Sequence, residues 1–203
     1  MARRREHSRE ALTELALSAA ERLLDKQGAA LLSTRRIAAD IGYSAASLYS
    51  VFNNFDDLCW QLNARTLAML LAQLDALGDK SPREALKAYA LCYVAFAARW
   101  PERWSLLFEH RTPETLQVPA WLNDSIERLF LQIERRLAEL VPDASATELA
   151  LTARTLWCGV HGVAVLQLRG KLFLPPEGKQ EQMLITLVDY HLDGWGLNRE
   201  SRA

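Results

Sequence analysis

Apolar residues along the 203-residue chain recur with the period of an α-helix almost from end to end. Leu12, Leu15, Ala16, Ala19 and Leu23 form a first stripe over residues 8–27, with Ser8 placed to cap it and Gly28 to stop it. Between Ser33 and Asp57 the pattern shortens into two helices and a tight turn. Ser33 caps the first of these, and Ile37, Ala38 and Ile41 give it one buried face. Gly42 ends it at a position where a left-handed backbone is usual and glycine alone adopts it freely. Ser44 opens the second helix two residues later, and Leu48 and Phe52 stand i, i+4 to pack on the first. A glycine stop followed at once by a fresh cap is the helix-turn-helix pattern, whose second helix lies in the major groove of DNA.

Asn53 or Asn54 caps a long helix reaching about Leu77, with Asp56 and Asp57 at the positive end of its dipole. The clearest internal boundary is Gly78-Asp79-Lys80-Ser81-Pro82. There Ser81 caps, Pro82 suits the first helical position and Glu84 completes a capping box. The helix over 82–99 is apolar nearly all round, with Leu86, Tyr89, Ala90, Tyr93, Phe96 and Ala97 along it, which predicts burial on most sides. Pro101 opens a shorter helix. Three more are predicted over 121–141, 145–169 and 179–195, the second opened by a Ser145/Glu148 capping box. No two-residue alternation, repeat or low-complexity tract interrupts this. The pattern predicts an all-α chain of eight or nine helices, divided into residues 1–55, a connecting helix over 56–80, and a helical domain over 81–203.

Half of the residues are hydrophobic, enough for a proper core, and a net charge of −1 excludes a uniformly basic nucleic-acid coat. The distribution says more. Residues 1–55 hold 8 Lys/Arg against 6 Asp/Glu, and residues 56–203 hold 16 against 19. Arg3, Arg4, Arg5 and Arg9 read alone as a solubilising tail; beside a helix-turn-helix they read as a basic arm that contacts phosphates. Cys59, Cys92 and Cys158 are odd in number and form no CxxC pair, which favours reduced thiols in the cytoplasm. No apolar stretch follows the N-terminal charges, so no signal peptide is expected. The longest apolar run, Ala88–Ala98, is short of the roughly 18 residues of a membrane span. No P-loop, dinucleotide or metalloprotease motif is present, so neither enzymatic activity nor a cofactor is expected.

Ser33, Arg35, Ile37, Ala38, Gly42, Ser44, Leu48, Tyr49 and Phe52 together resemble the DNA-binding domain of the TetR family of one-component regulators, over roughly residues 8–60. Two family positions differ. The usual Lys at the start of the fourth helix is Phe55, and the usual His before Phe52 is Val51. Within this frame Ser44 and Tyr49 suit phosphate oxygens, Ala45 and Ala46 a thymine methyl, and Ser47 or Ser50 a base edge. Arg35 and Arg36 could reach guanine or phosphate, and Asn53 is a further DNA-binding candidate.

A second run, Leu156-Trp157-Cys158-Gly159-Val160-His161-Gly162, places two glycines inside a helix, at about 1 kcal/mol each against Ala. Close helix packing or a ligand would use the space. The run resembles a subgroup of TetR-like C-terminal domains marked by a Trp-x-x-x-His-Gly helix, over about residues 82–195. That resemblance implies a ligand-binding and dimerisation domain. Tyr89, Tyr93, Phe96, Trp104, Phe108 and Trp157 are pocket candidates that read equally as core, with Tyr93 and His161 as the polar groups. A lone His on an apolar helix also reads as a packing residue, and Cys158 with His161 is too small a set to hold a metal. In the family the last two helices form a four-helix bundle between subunits, which implies Leu156, Gly159, Val163, Leu184, Leu187, Val188 and His191 at a dimer interface. The expectation is a homodimeric, ligand-responsive repressor of transcription. A small apolar effector would release it from a palindromic double-stranded operator. The alternative is a DNA-bound scaffold whose helical domain recruits a protein partner.

Overall fold

The computed structural model describes residues 8–200, with side chains as far as Leu197. Arg3, Arg4 and Arg5 of the expected basic arm lie outside the described residues. Among the described residues there are nine α-helices, one 3-10 turn (Ala29–Leu31) and no strand, so the all-α expectation holds. The helices are α1 (Arg9–Gln27), α2 (Thr34–Asp40), α3 (Ala45–Leu48), α4 (Phe55–Asp75), α5 (Pro82–Arg99), α6 (Pro101–Glu109), α7 (Ala120–Leu140), α8 (Ala146–Leu168) and α9 (Gln180–Glu200).

They form two compact units. One holds the chain up to Leu67 together with Glu102–Asn123; the other holds Ala68–Pro101 and the chain from Asp124 onward. The division at residues 55 and 80 therefore differs from the compact units, because α6 and the segment after it make their bonds with α1 and α4. Arg103 on α6 grips Asp25 with two hydrogen bonds of 2.7 Å each. His110 Nε2 lies 2.9 Å from Asp56 Oδ1, and Trp60 Nε1 donates to Thr112 Oγ1 at 3.2 Å. Leu106 is buried with Leu12, Ala16, Leu24, Ile37, Leu48, Phe52 and Leu58 in one apolar core.

In the second unit α5 packs closely on both α8 and α9, and α8 on α9. Leu86, Val94 and Phe96 of α5, Leu156 and Val160 of α8, and Leu184 and Val188 of α9 are all buried in it. A ladder of charges ties α5 to α9. Arg83 bonds Asp189 at 2.9 Å and Asp193 at 2.6 Å, and Lys87 lies 3.0 Å from Asp189. Gly159 lets α8 and α9 approach, since a Cβ there would stand 3.1 Å from a Leu187 methyl. α7 is held by side chains: Arg154 on α8 bonds Glu134 at 2.9 Å and Glu127 at 3.0 Å. Among the described residues α8 is long and apolar enough to cross a membrane by length and composition. Its Leu156, Val160 and Val163 are buried in this unit.

Two expected caps differ. Ser81 makes no side-chain capping bond, although Pro82 does open α5. Ser145 caps α8 by accepting from the Glu148 N–H at 3.2 Å. The Glu148 carboxylate, expected to reach back in a capping box, instead takes the Trp195 indole N–H at 2.9 Å.

Candidate nucleic-acid interface and effector site

The helix-turn-helix is built by short-range bonds that the sequence encodes directly. Ser33 Oγ accepts from the Arg36 N–H and starts α2. Gly42 closes it with φ +74°, while the Tyr43 N–H reaches the Ala38 carbonyl at 2.8 Å, the pairing that satisfies the last free carbonyls of a helix. Ser44 Oγ then accepts from the Ser47 N–H at 3.2 Å. Regular helix covers Ala45–Leu48, shorter than the expected span to Phe52; turns continue from Tyr49 to Val51. Leu48 and Phe52 are fully buried, as their i, i+4 spacing requires.

These bonds change the reading of the candidate contacts. Ser44 and Ser47 hydroxyls lie 2.8 Å apart, and Ser50 Oγ donates to the Ser47 carbonyl at 2.7 Å. All three serines thus spend hydrogen-bonding capacity within the turn. Tyr49 is half exposed, and its hydroxyl is 3.2 Å from Thr34 Oγ1, which holds the ring against α2. Asn53 gives its backbone N–H and its amide to Asp57 Oδ2, at 2.8 and 3.0 Å. Asn54 is the cap of α4, accepting from the Asp57 N–H at 2.8 Å. Arg36 reaches the Leu31 carbonyl at 3.2 Å. Arg35 is exposed and bonds to nothing among the described residues. Ala45 and Ala46 stand on the same short helix, half-buried and exposed. Val51 is buried in the apolar core, and Phe55 packs against it.

In the second unit the Tyr93 hydroxyl and His161 Nδ1 are 2.8 Å apart, joining α5 to α8. Trp157 lies 4.9 Å from the His161 ring, Phe130 of α7 meets Trp157 edge-on at 5.6 Å, and the Arg154 guanidinium covers Phe130 at 4.4 Å. Burial pushes the His161 ring below its ordinary value, so it is a neutral hydrogen-bonding group at pH 7. Tyr89 is half-buried on α5. Phe96 is fully buried core. Trp104 and Phe108 belong to the first unit, where their rings meet at a tilt with centroids 4.8 Å apart. The expected set thus separates into the Tyr93–Trp157–His161 cluster, the Trp104–Phe108 pair, and residues that simply pack.

The residues expected at a dimer interface all lie on α8 and α9. Leu156, Val163, Leu184 and Val188 are buried inside their own chain. Gly159 and Leu187 serve the same α8–α9 crossing. His191 is half-buried on α9, and burial, which outweighs the influence of the Thr152 backbone, lowers its value. The apolar surface left outward is the next stripe round: Leu151 and Leu166 on α8, and Met183, Tyr190 and Leu197 on α9. Gly162 also faces open space. Because apolar residues stand on both stripes of α8, hydropathy alone marks no boundary between them. Cys59 is buried, which drives its thiol up to about 12, and no cysteine is paired. Among the described residues no group of three His, Cys, Asp or Glu is placed to hold a metal.

A structure of a protein of unknown function from Rhodococcus sp. RHA1 shares the fold, with 22% identity over 96% of this chain and 98% of that one, at a TM-score of 0.74. A TetR-like transcriptional regulator from Rhodococcus sp. RHA1 has 21% identity over 93% and 100%, at 0.64. RolR, solved with its ligand resorcinol, has 12% identity over 89% and 87%, at 0.65. At such identities the likeness concerns the fold. No protein of curated function matches the sequence. Two family profiles do match: "Bacterial regulatory proteins, tetR family" over residues 16–59, and "Tetracyclin repressor-like, C-terminal domain" over residues 86–190. Neither identifies the narrower Trp-His-Gly subgroup. The second spans more than half of the chain and the first its helix-turn-helix, so this chain belongs to the TetR family of DNA-binding transcriptional regulators, which are not enzymes.

Proposed function

We propose that this TetR-family regulator is a cytoplasmic repressor that binds a palindromic operator as a homodimer and is released by a small, largely apolar effector. The observation that carries the effector reading is the Tyr93–His161 pair. It is a neutral polar couple set among Trp157 and Phe130 in an otherwise apolar helical unit. Ligand sites combine an apolar lining with a few converging polar groups, and this cluster has that composition. The arginine beside the cluster is already spent, Arg154 bonding Glu127 and Glu134. An uncharged effector with a hydroxyl or carbonyl therefore suits the cluster better than a carboxylate, much as RolR holds resorcinol.

On the DNA side, the engaged serines leave Arg35 and the methyls of Ala45 and Ala46 as the base-reading groups of each half-site. The outward stripe of Leu151, Leu166, Met183, Tyr190 and Leu197 is the surface for a second copy, with Gly162 allowing close approach. An effector releases the operator only as far as it binds the non-binding conformation better than the binding one.

The test is fluorescence anisotropy of operator DNA titrated with uncharged aromatic alcohols, in wild type and His161→Ala. The expected result is release of wild type and altered release of the variant at unchanged DNA affinity. Release that is identical in both refutes the placement of the effector at this pair.

A further inference from the structure

We propose that Phe173, on the loop between α8 and α9, is an aromatic anchor that docks on a second copy of this chain. This role rests on the homodimer proposed above and adds to it a residue outside the two helices. Among the described residues Phe173 is the one non-glycine with a left-handed backbone, at φ +48°. A bulky side chain is strained in that conformation, and such strain persists where the surrounding structure imposes it and a functional contact uses it. The ring is also 85% exposed, the highest value among the large hydrophobic residues described. A strained backbone and an aromatic ring in water are both unfavourable, and a ring so exposed offsets neither by packing within its own chain.

The loop is pinned at both ends. After α8 the Gly170 backbone turns left-handed, and the Lys171 N–H reaches the Leu166 carbonyl at 2.8 Å. Before α9 the Gly178 N–H closes a tight turn on the Pro175 carbonyl at 2.8 Å. The Gln180 amide bonds Gln167, which ties the start of α9 to the end of α8. Pro175 and Pro176 fix two further φ angles. Between these anchors Leu172 and Leu174 are half-buried while Phe173 stands out. A ring held out on a pinned loop has little freedom left to lose on docking, the property of an effective interface anchor. Two observations favour a copy of the chain as the occupant. Leu166 on α8 and Met183 on α9, the exposed stripe residues nearest the loop in sequence, flank it on either side, so Phe173 extends the apolar surface already assigned to a second copy. The local charge is nearly balanced: Arg169, Lys171 and Lys179 stand against Glu177 and Glu181, an excess of one. Segments that bind anionic lipid carry clusters of roughly four to eight Lys/Arg, whereas a nearly neutral loop can face a copy of itself without repulsion. In a two-fold pair each copy contributes one ring, so a single residue acts twice in the interface.

The experiment is sedimentation equilibrium of the full chain across concentration, with urea unfolding of each variant at concentrations where it is monomeric. Phe173→Asn should weaken the dimer about ten-fold or more, the effect of losing an aromatic anchor. The same change should leave the urea midpoint of the monomer equal or higher, because asparagine tolerates the left-handed backbone and an exposed ring leaves no cavity behind. Phe173→Tyr keeps the ring and should hold the dimer within about three-fold of wild type. Phe173→Gly supplies the same two readings if the Asn variant does not fold, and failure of both to fold overturns the proposal. A dimer unchanged by loss of the ring overturns this role while leaving the homodimer standing; a wild-type chain that stays monomeric overturns both. A weaker dimer accompanied by a lower midpoint would place the ring in its own chain's packing. Binding to phosphatidylglycerol/phosphatidylcholine vesicles that is lost in Phe173→Asn, with the dimer unchanged, would assign the loop to a lipid surface instead.

Discussion

Replacing Arg35 by Ala should weaken operator binding far more than it disturbs the fold. The side chain is exposed and makes no bond among the described residues, so its removal should shift folding stability by no more than about 0.5 kcal/mol either way. The cost falls on the complex. A bidentate arginine–guanine contact contributes roughly 1–3 kcal/mol of discrimination, a factor of about 5 to 150 in affinity for each half-site. The loss should appear as relaxed preference at one base pair in each half-site. Arg36→Ala should behave differently, because Arg36 already spends a donor on the Leu31 carbonyl. It should cost less affinity and leave every base preference intact. The assay is anisotropy with labelled operator and single-base variants, repeated across salt. A phosphate contact would instead lower affinity equally for all sequences and reduce the slope of log K against log salt by about 0.9. Uniform weakening by Arg35→Ala, or none at all, would refute its role as base reader.

Three further outcomes follow from the same structure. Gly162→Leu should leave the monomer folded, since among the described residues no neighbouring element lies within 4 Å of an added Cβ, yet shift sedimentation toward monomer; an unchanged dimer would clear this face of any role in assembly. The His161 and His191 rings are both lowered by burial, so they favour the folded state above the ordinary histidine value of about 6.5. That contribution should be lost as pH falls from there through their folded values. Urea midpoints should drop between pH 7.5 and 5.5, and a His161→Gln/His191→Gln double variant should show a flatter profile. Arg103→Ala removes both bonds to Asp25, which is partly exposed and can rehydrate, so the first unit should lose about 1–2 kcal/mol in chemical denaturation. No loss would mean that this ion pair does not anchor α6.

The elements legible in the sequence were those fixed by bonds between residues close in the chain. Ser8, Ser33, Ser44 and Ser145 all cap helices through their hydroxyls, and Gly42 takes the left-handed turn. What escaped depends on partners distant in sequence. The Glu148 carboxylate was diverted from its box by Trp195, 47 residues away. The grouping of α6 with the first unit rests on Asp25, Asp56 and Trp60, whose pairing no local pattern announces. Within the site, residue type singled out Tyr93 and His161 as the polar groups of a pocket, and their side chains stand 2.8 Å apart. It could not show that the serines of the recognition helix bond one another, nor which stripe of an all-apolar helix is buried. Phe173 gave no signal in the sequence, because an apolar residue beside Leu172 and Leu174 becomes conspicuous only when its ring is found in solvent.

The central claim is that this chain reads a specific duplex as a two-fold dimer. Selection of bound duplexes from a random DNA pool tests it most directly. The account predicts an enriched palindrome whose half-sites each carry one G·C pair under Arg35, flanked by thymines that meet Ala45 and Ala46. Salt-sensitive binding with no enriched sequence, or a single asymmetric site bound by one chain, would contradict it.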